Sequence, residues 1–163
     1  VGSARSPHIF LSVTKQGHSA IFSTKGNADC HIILRGGGAG PNFDAASVRA
    51  AVGLLEKAGL PPRLMVDMSH ANSGKDCRKQ LEVSESLCAQ LRDGQSGIMG
   101  VMVESHLVEG KQALGAPADL TYGQSITDEC LGWDDSLRIL DDLEAAVRAR
   151  RSALVGLQRV RPG

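Results

Sequence analysis

Three apolar runs, each ending in a polar residue and each followed by a loop and a helix-periodic segment, limit what this chain can become. Cys30–Leu34 closes at Arg35, Leu64–Val66 at Asp67, and Ile98–Val103 at Glu104, in steps of 32 and 37 residues. After each run, apolar residues return at helical spacing. Val48, Val52 and Leu55 mark the first helix, within 44–59. Cys77, Leu81, Ser84, Cys88 and Leu91 mark the second, from about Lys75 to Arg92. Leu137, Leu140, Leu143 and Val147 mark the third, about 135–151, whose last turn would carry Arg148, Arg150 and Arg151. Asp44 can cap the first helix, and Gly59 with Pro61-Pro62 closes it. Strands this apolar need cover on both faces, so they predict a parallel sheet with helices outside it. Right-handed crossovers then bring the three strand ends, with Arg35, Asp67, His70 and Glu104, to one edge.

Ahead of these units, residues 8–13 and 18–24 read as two strands joined through Thr14-Lys15-Gln16-Gly17, a β-hairpin. A long loop, 105–133, separates the last strand from the last helix. Polar residues at successive strand ends are how a (β/α)-barrel builds its active face. A closed barrel has eight strands in roughly 250 residues, and this 163-residue chain supplies three. The sheet is therefore open, or the chain is the later part of a barrel. It begins Val-Gly-Ser-Ala without methionine, which favours the latter expectation.

The 18 basic and 18 acidic residues cancel, so nothing electrostatic points to a nucleic-acid or anionic-membrane partner. Aromatics at 3% argue against base stacking. No apolar run approaches the roughly 20 residues of a spanning helix. Cys30, Cys77, Cys88 and Cys130 show no CxxC spacing and no disulfide framework, so a reduced, cytoplasmic protein is expected.

Met65–Asp76 is the most chemical stretch. His70 can ligate a metal or move a proton near neutral pH, or can simply cap the helix that follows. Glu104 and Asp128 are two further ligands to a divalent ion, or solvated carboxylates. One imidazole with two carboxylates suits Mn, Fe, Co or Zn better than Ca or Mg. No HExxH-type spacing links the three. Arg35 beside Gly36-Gly37-Gly38 can grip a carboxylate or phosphate, or can be a salt-bridged arginine at a surface turn. With no GxGxxG or Walker sequence, a nucleotide is disfavoured. His31 reads as a hydrogen-bonded core histidine.

Five segments then fall in one order: Phe10–Lys15, Asp29–Gly37, Asp67–Ser73, Gly100–Leu107 and Ser125–Asp128. In these the chain resembles the C-terminal part of the type I 3-deoxy-D-arabino-heptulosonate-7-phosphate (DAHP) synthases, in their microbial, feedback-regulated branch. The resemblance runs from about Pro7 to Arg151. It implies the last three strand–helix units of a metal-dependent (β/α)8 TIM barrel, preceded by an inserted hairpin. As domains, 1–163 would be one incomplete barrel: hairpin 8–24, three βα units over 30–151, and a tail, 152–163.

The implied activity is that of a transferase, 3-deoxy-7-phosphoheptulonate synthase. It joins phosphoenolpyruvate to erythrose 4-phosphate with loss of phosphate, the first step of the shikimate pathway toward chorismate and the aromatic amino acids. By motif, His70, Glu104 and Asp128 match three of four metal ligands. Arg35 matches a phosphoenolpyruvate-binding arginine, and His70 also lies beside that substrate as a catalytic residue. The hairpin implies Phe10, Ser12 and Phe22 as contacts for an aromatic amino acid acting as feedback inhibitor, with plain hairpin packing the competing reading for Phe22. A homo-oligomer is implied as well.

The departures are large. The family's fourth ligand, a cysteine, lies in a motif that none of the four cysteines here belongs to, and the upstream phosphate-holding arginines and lysines are absent. The chain alone is therefore expected to be inactive and poorly stable. The alternative is a non-catalytic module that binds an aromatic amino acid. The related 3-deoxy-octulosonate 8-phosphate synthases are disfavoured by the hairpin and the 65–73 motif.

Overall fold

Apolar runs bounded by glycine and proline become strands, and helical periodicity becomes helices, in a mixed α/β arrangement whose sheets do not close. The structure, a computed structural model, describes residues 1–159 and side chains through Leu154. It divides into two compact units, Val1–Ile32 and the chain from Ile33 onward.

The first unit holds a short helix α1 (Gly2–Arg5) and the antiparallel pair β1 (Ile9–Val13) and β2 (Ser19–Ser23). The register places Phe10 opposite Phe22 and Ser12 opposite Ala20, so these four share one face. The rings of Phe10 and Phe22 stack at 5.9 Å and 12°. The other face presents Ile9, Leu11 and Ile21, each about three-quarters exposed.

β3 (Ile32–Leu34), which begins at the unit boundary, β4 (Leu64–Asp67) and β5 (Ile98–Met102) form a sheet in that order, with β4 and β5 parallel. Leu64 and Val66 are fully buried, as expected of an inner strand. Helix α2 (Ala45–Lys57) starts where Asp44 accepts hydrogen bonds from the amides of Ala46 and Ser47, and buries Val48 and Leu55. After β4 comes a four-residue helix α3 (His70–Ser73) and then α4 (Lys79–Arg92).

The helix expected from Lys75 therefore begins four residues later. Gly74 and Lys75 both take left-handed φ values, 63° and 65°, and that reversal ends α3 instead of starting α4. The buried face of α4 holds Gln80, Val83, Ser84, Leu87, Cys88 and Leu91, while Leu81 is only half-buried.

The expected long loop carries its own structure: β6 (Val108–Lys111) pairs parallel with β7 (Gln124–Ser125), around a 3-10 turn at Pro117–Asp119. The last helix, α5 (Trp133–Arg159), runs past the expected end at 151. Arg148 and Arg150 thus lie within it. Arg150 donates to the Gln95 carbonyl at 2.7 Å, and Arg148 pairs with Glu144. Of the expected tail, 152–159 is helical and 160–163 lies outside the described residues.

The expected buried stripe of α5 is corrected too. Leu137 and Leu140 are 42% and 60% exposed, while Ser136, Ile139 and Ala146 are buried. Periodicity identifies an apolar face wider than the surface α4 covers. Leu140 and Leu143, with Val101 and Val103 near the β5 end, line an open apolar groove of about 260 Å³. No helix among the described residues is long and apolar enough to cross a membrane.

Candidate metal centre and substrate edge

The ends of β3, β4 and β5 are joined by hydrogen bonds that cross from one strand end to the next. At the end of β4, the buried Asp67 carboxylate accepts from the Ser69 amide at 2.8 Å and from His70 Nδ1 at 2.7 Å. A carboxylate acceptor there puts the imidazole proton on Nδ1, leaving the Nε2 lone pair free to act as a ligand. Nε2 faces Glu104 Oε1 at 3.6 Å. That is too long for a hydrogen bond, but close to the roughly 3.4 Å between two ligand atoms on one tetrahedral ion with bonds near 2.1 Å.

His70 has φ 50°, a left-handed value unusual for a residue with a side chain. This strained torsion occurs at the residue whose imidazole meets both Asp67 and Glu104. The ring makes no capping bond to α3, whose N-cap Ser69 also makes none with its side chain.

Glu104, just past β5, is held twice. Its carboxylate accepts from the Ser69 hydroxyl at 2.8 Å. Its backbone is clamped by the buried Gln80 amide, which accepts from the Glu104 N–H at 2.8 Å and donates to the Glu104 carbonyl at 3.0 Å. The same carbonyl accepts from the Leu131 amide at 3.0 Å, which brings the segment after β7 alongside. Asp128, exposed in that segment, completes a set with His70 and Glu104 in which one ligand atom from each lies within 4.8 Å of the others.

At the β3 end, Arg35 is exposed and enters no ion pair among the described residues. Its position is set by asparagines. The Gly36 amide donates to Asn42 Oδ1 at 2.7 Å, and the Asn42 amide donates to Asn72 Oδ1 at 2.8 Å. Asn72 Nδ2 donates to the carbonyls of Leu34 and Asp67 at 3.1 and 2.7 Å. Gly36 itself has φ 72°, and a Cβ there would sit 2.7 Å from that of Ala71. Only glycine allows the β3 loop to lie this close to α3.

His70, Glu104 and Asp128 therefore converge, with Arg35 on the strand end next to them. Phe10, Ser12 and Phe22 share a face of the hairpin unit; Ser12 is half-buried and both phenylalanines are exposed. His31 is half-buried just ahead of β3, and its side chain makes no hydrogen bond among the described residues, contrary to expectation. Sequence reading missed Asn42, Asn72 and Gln80. Asn72 sat inside the recognised motif, whereas a glutamine on a helix face carries no signal of its target.

The donor set fits a borderline divalent ion: a neutral nitrogen with its second nitrogen anchored by a carboxylate, and two carboxylates on separate elements. Residues 1–141 match the model of the DAHP synthetase I family. The chain belongs to that family.

As a DAHP synthetase I chain, it is 58% identical to the phospho-2-dehydro-3-deoxyheptonate aldolase of Haemophilus influenzae, over 94% of this chain and 42% of that protein. It is 54% identical to the Phe-sensitive enzyme of that name from Escherichia coli K12, over 93% of this chain and 43% of that one. The solved structure of the Francisella tularensis enzyme superposes with a TM-score of 0.83 at 46% identity, covering 91% of this chain and 43% of that one. The chain thus spans less than half the length of the relatives it matches.

Proposed function

We propose that this chain supplies the carboxyl-terminal part of a DAHP synthase site, built on the last three βα units of a (β/α)8 barrel. The proposed reaction is the condensation of phosphoenolpyruvate with erythrose 4-phosphate, with release of phosphate. The observation that carries it is the convergence of His70, Glu104 and Asp128, with His70 anchored on Asp67 and Glu104 clamped by Gln80. These three would hold a divalent ion of the Mn, Fe, Co or Zn kind. Bound there, such an ion supplies Lewis acidity toward the aldehyde oxygen of the sugar phosphate.

Arg35 would bind the anionic phosphoenolpyruvate through its guanidinium, fixed at the strand end by the Asn42–Asn72 ladder. Holding the enol carbon facing the aldehyde carbon is a positioning contribution. The His70 imidazole, next to the same edge, would contact phosphoenolpyruvate as well as the ion. On the hairpin, Phe10, Ser12 and Phe22 would contact an aromatic amino acid, since the stacked rings offer a flat apolar surface with a hydroxyl on the same face. The Phe-sensitive relative supports this reading.

The test joins this chain behind the amino-terminal remainder of the Haemophilus influenzae relative and follows phosphate release from phosphoenolpyruvate. Release should depend on erythrose 4-phosphate and on a divalent ion. Arg35→Ala should raise KM for phosphoenolpyruvate at least tenfold, and His70→Ala should abolish turnover. Asp67→Asn should weaken ion affinity about 10–100-fold, the usual effect of losing the partner that orients a metal-bound histidine. A folded fusion with no phosphate release would refute the reading. Turnover by the 163-residue chain alone would refute its dependence on the rest of a barrel.

A further inference from the structure

Ser69 touches both carboxylates that flank His70, and it engages one oxygen of each. Its amide donates to Asp67 Oδ1 at 2.8 Å, which leaves Asp67 Oδ2 to accept from His70 Nδ1 at 2.7 Å. Its hydroxyl donates to Glu104 Oε2 at 2.8 Å, which leaves Oε1 facing His70 Nε2 at 3.6 Å. The residue is buried, and its hydroxyl bond spans 35 positions of the chain.

A serine that precedes a helix ordinarily uses its hydroxyl on the first free amides. Ser69 is the N-cap of α3, yet its side chain makes no capping bond. The hydroxyl goes to Glu104 instead, and a hydrogen bond to an ionised carboxylate is roughly twice as strong as one between neutral groups. Gln80 fixes the Glu104 backbone but reaches neither carboxylate oxygen. Among the described residues, Ser69 is therefore the hydrogen-bond donor that sets how the Glu104 carboxylate is turned.

We propose that Ser69 is a positioning residue that makes Glu104 a one-oxygen ligand and so selects the ion. The inference rests on the metal centre proposed above and adds what discriminates between ions there. With Oε2 held by the hydroxyl, Glu104 offers Oε1, and using both oxygens would require breaking the bond to Ser69. Zn(II) is satisfied by about four ligands. Ca(II) takes about 6–8 oxygens, often two from one carboxylate. The Ser69 bond therefore works against Ca(II) while orienting Oε1 for Zn(II), Co(II) or Mn(II). It is a contribution of orientation, made through Glu104 without contact to the ion.

The test compares Co(II) and Ca(II) binding by the 163-residue chain with binding by Ser69→Ala, which keeps the amide bond to Asp67 and removes the hydroxyl. Co(II) affinity, followed by visible absorption, should fall about 10–100-fold, as for other residues that orient a metal ligand. Ca(II) affinity, followed by calorimetry, should stay within about twofold of the parent or rise, because Oε2 becomes free to bind it. Equal losses for both ions would make Ser69 a structural tie between strand ends and overturn the proposal. A Co(II) affinity in folded Ser69→Ala within twofold of the parent would overturn it too. If Ser69→Ala does not fold by far-ultraviolet circular dichroism, infrared difference spectra of the parent decide. The carboxylate bands that appear with Zn(II) and are lost in Glu104→Gln should show the wide antisymmetric–symmetric splitting of a one-oxygen ligand. The narrow splitting of a two-oxygen ligand would refute the role of Ser69. A parent that binds neither ion would bring down the metal centre itself, whereas failure of the Ser69 comparison alone leaves the centre and the reaction standing.

Discussion

Replacing Gln80 with methionine isolates what the buried amide contributes, because the side-chain volume is nearly kept while both polar atoms are lost. Gln80 is fully buried, and its two hydrogen bonds both end on the backbone of Glu104, one on its N–H and one on its carbonyl. Their loss is unequal. The Glu104 carbonyl keeps its second donor, the Leu131 amide at 3.0 Å, so it loses about 0.5–1.5 kcal/mol. The Glu104 N–H is left without a partner, which costs about 1–3 kcal/mol in a buried setting. Together these predict a loss of about 1.5–4.5 kcal/mol, centred near 3. At roughly 2–4 °C per kcal/mol for a chain of this size, Tm should fall by about 5–15 °C. Chemical and thermal unfolding followed by circular dichroism measure this directly, provided different probes give coincident transitions. A shift below 0.5 kcal/mol would refute the clamp, since it would mean water or backbone relaxation satisfies the N–H at little cost.

Asn72→Asp keeps the acceptor toward the Asn42 amide but sets a carboxylate oxygen against the carbonyls of Leu34 and Asp67; stability should drop by about 3 kcal/mol, read by urea unfolding, and a neutral effect would dismiss the ladder. Gly36→Ala should destabilise by at least about 1–3 kcal/mol, because left-handed φ and a 2.7 Å approach to Ala71 Cβ add; a stabilised variant would show that the loop can move freely. Asp44→Ala should cost about 1 kcal/mol at pH 7. The Ser47 hydroxyl and amide hold the Asp44 carboxyl below its ordinary 3.8, so this contribution is complete above pH about 4 and fades as pH falls through the lowered folded value. A parent-minus-variant difference that grows on acidification would reverse that sign.

The α/β class and the strand–helix rhythm were readable because buried strands and amphipathic helices leave periodic marks that depend only on which face is covered. Asp44 was readable as a cap because the signal and its target are local. What could not be read was orientation set by partners distant in sequence. Leu137 and Leu140 repeat at helical spacing like their buried neighbours, yet whether they are covered depends on which element lies opposite. The start of α4 moved because Gly74-Lys75 adopts a left-handed turn that a lysine rarely signals. In the site, His70, Glu104 and Asp128 were named from residue type and motif. The left-handed torsion of His70 and the Gln80 clamp were not, since neither changes the local pattern.

The Asn72, Ser69 and Gln80 bonds join residues 38, 35 and 24 positions apart, with consequences for the order of folding. None of them can form inside a nascent helix or a single βα unit; the Asn72 and Ser69 bonds need two strand ends already side by side, and the Gln80 bonds need α4 packed against the end of β5. Contacts of such long sequence separation form slowly, because loop closure must precede them. Secondary structure should therefore appear well before the edge acquires its cross-element hydrogen bonds. The delay between the two signals in a refolding experiment would time the moment when the strands find their neighbours.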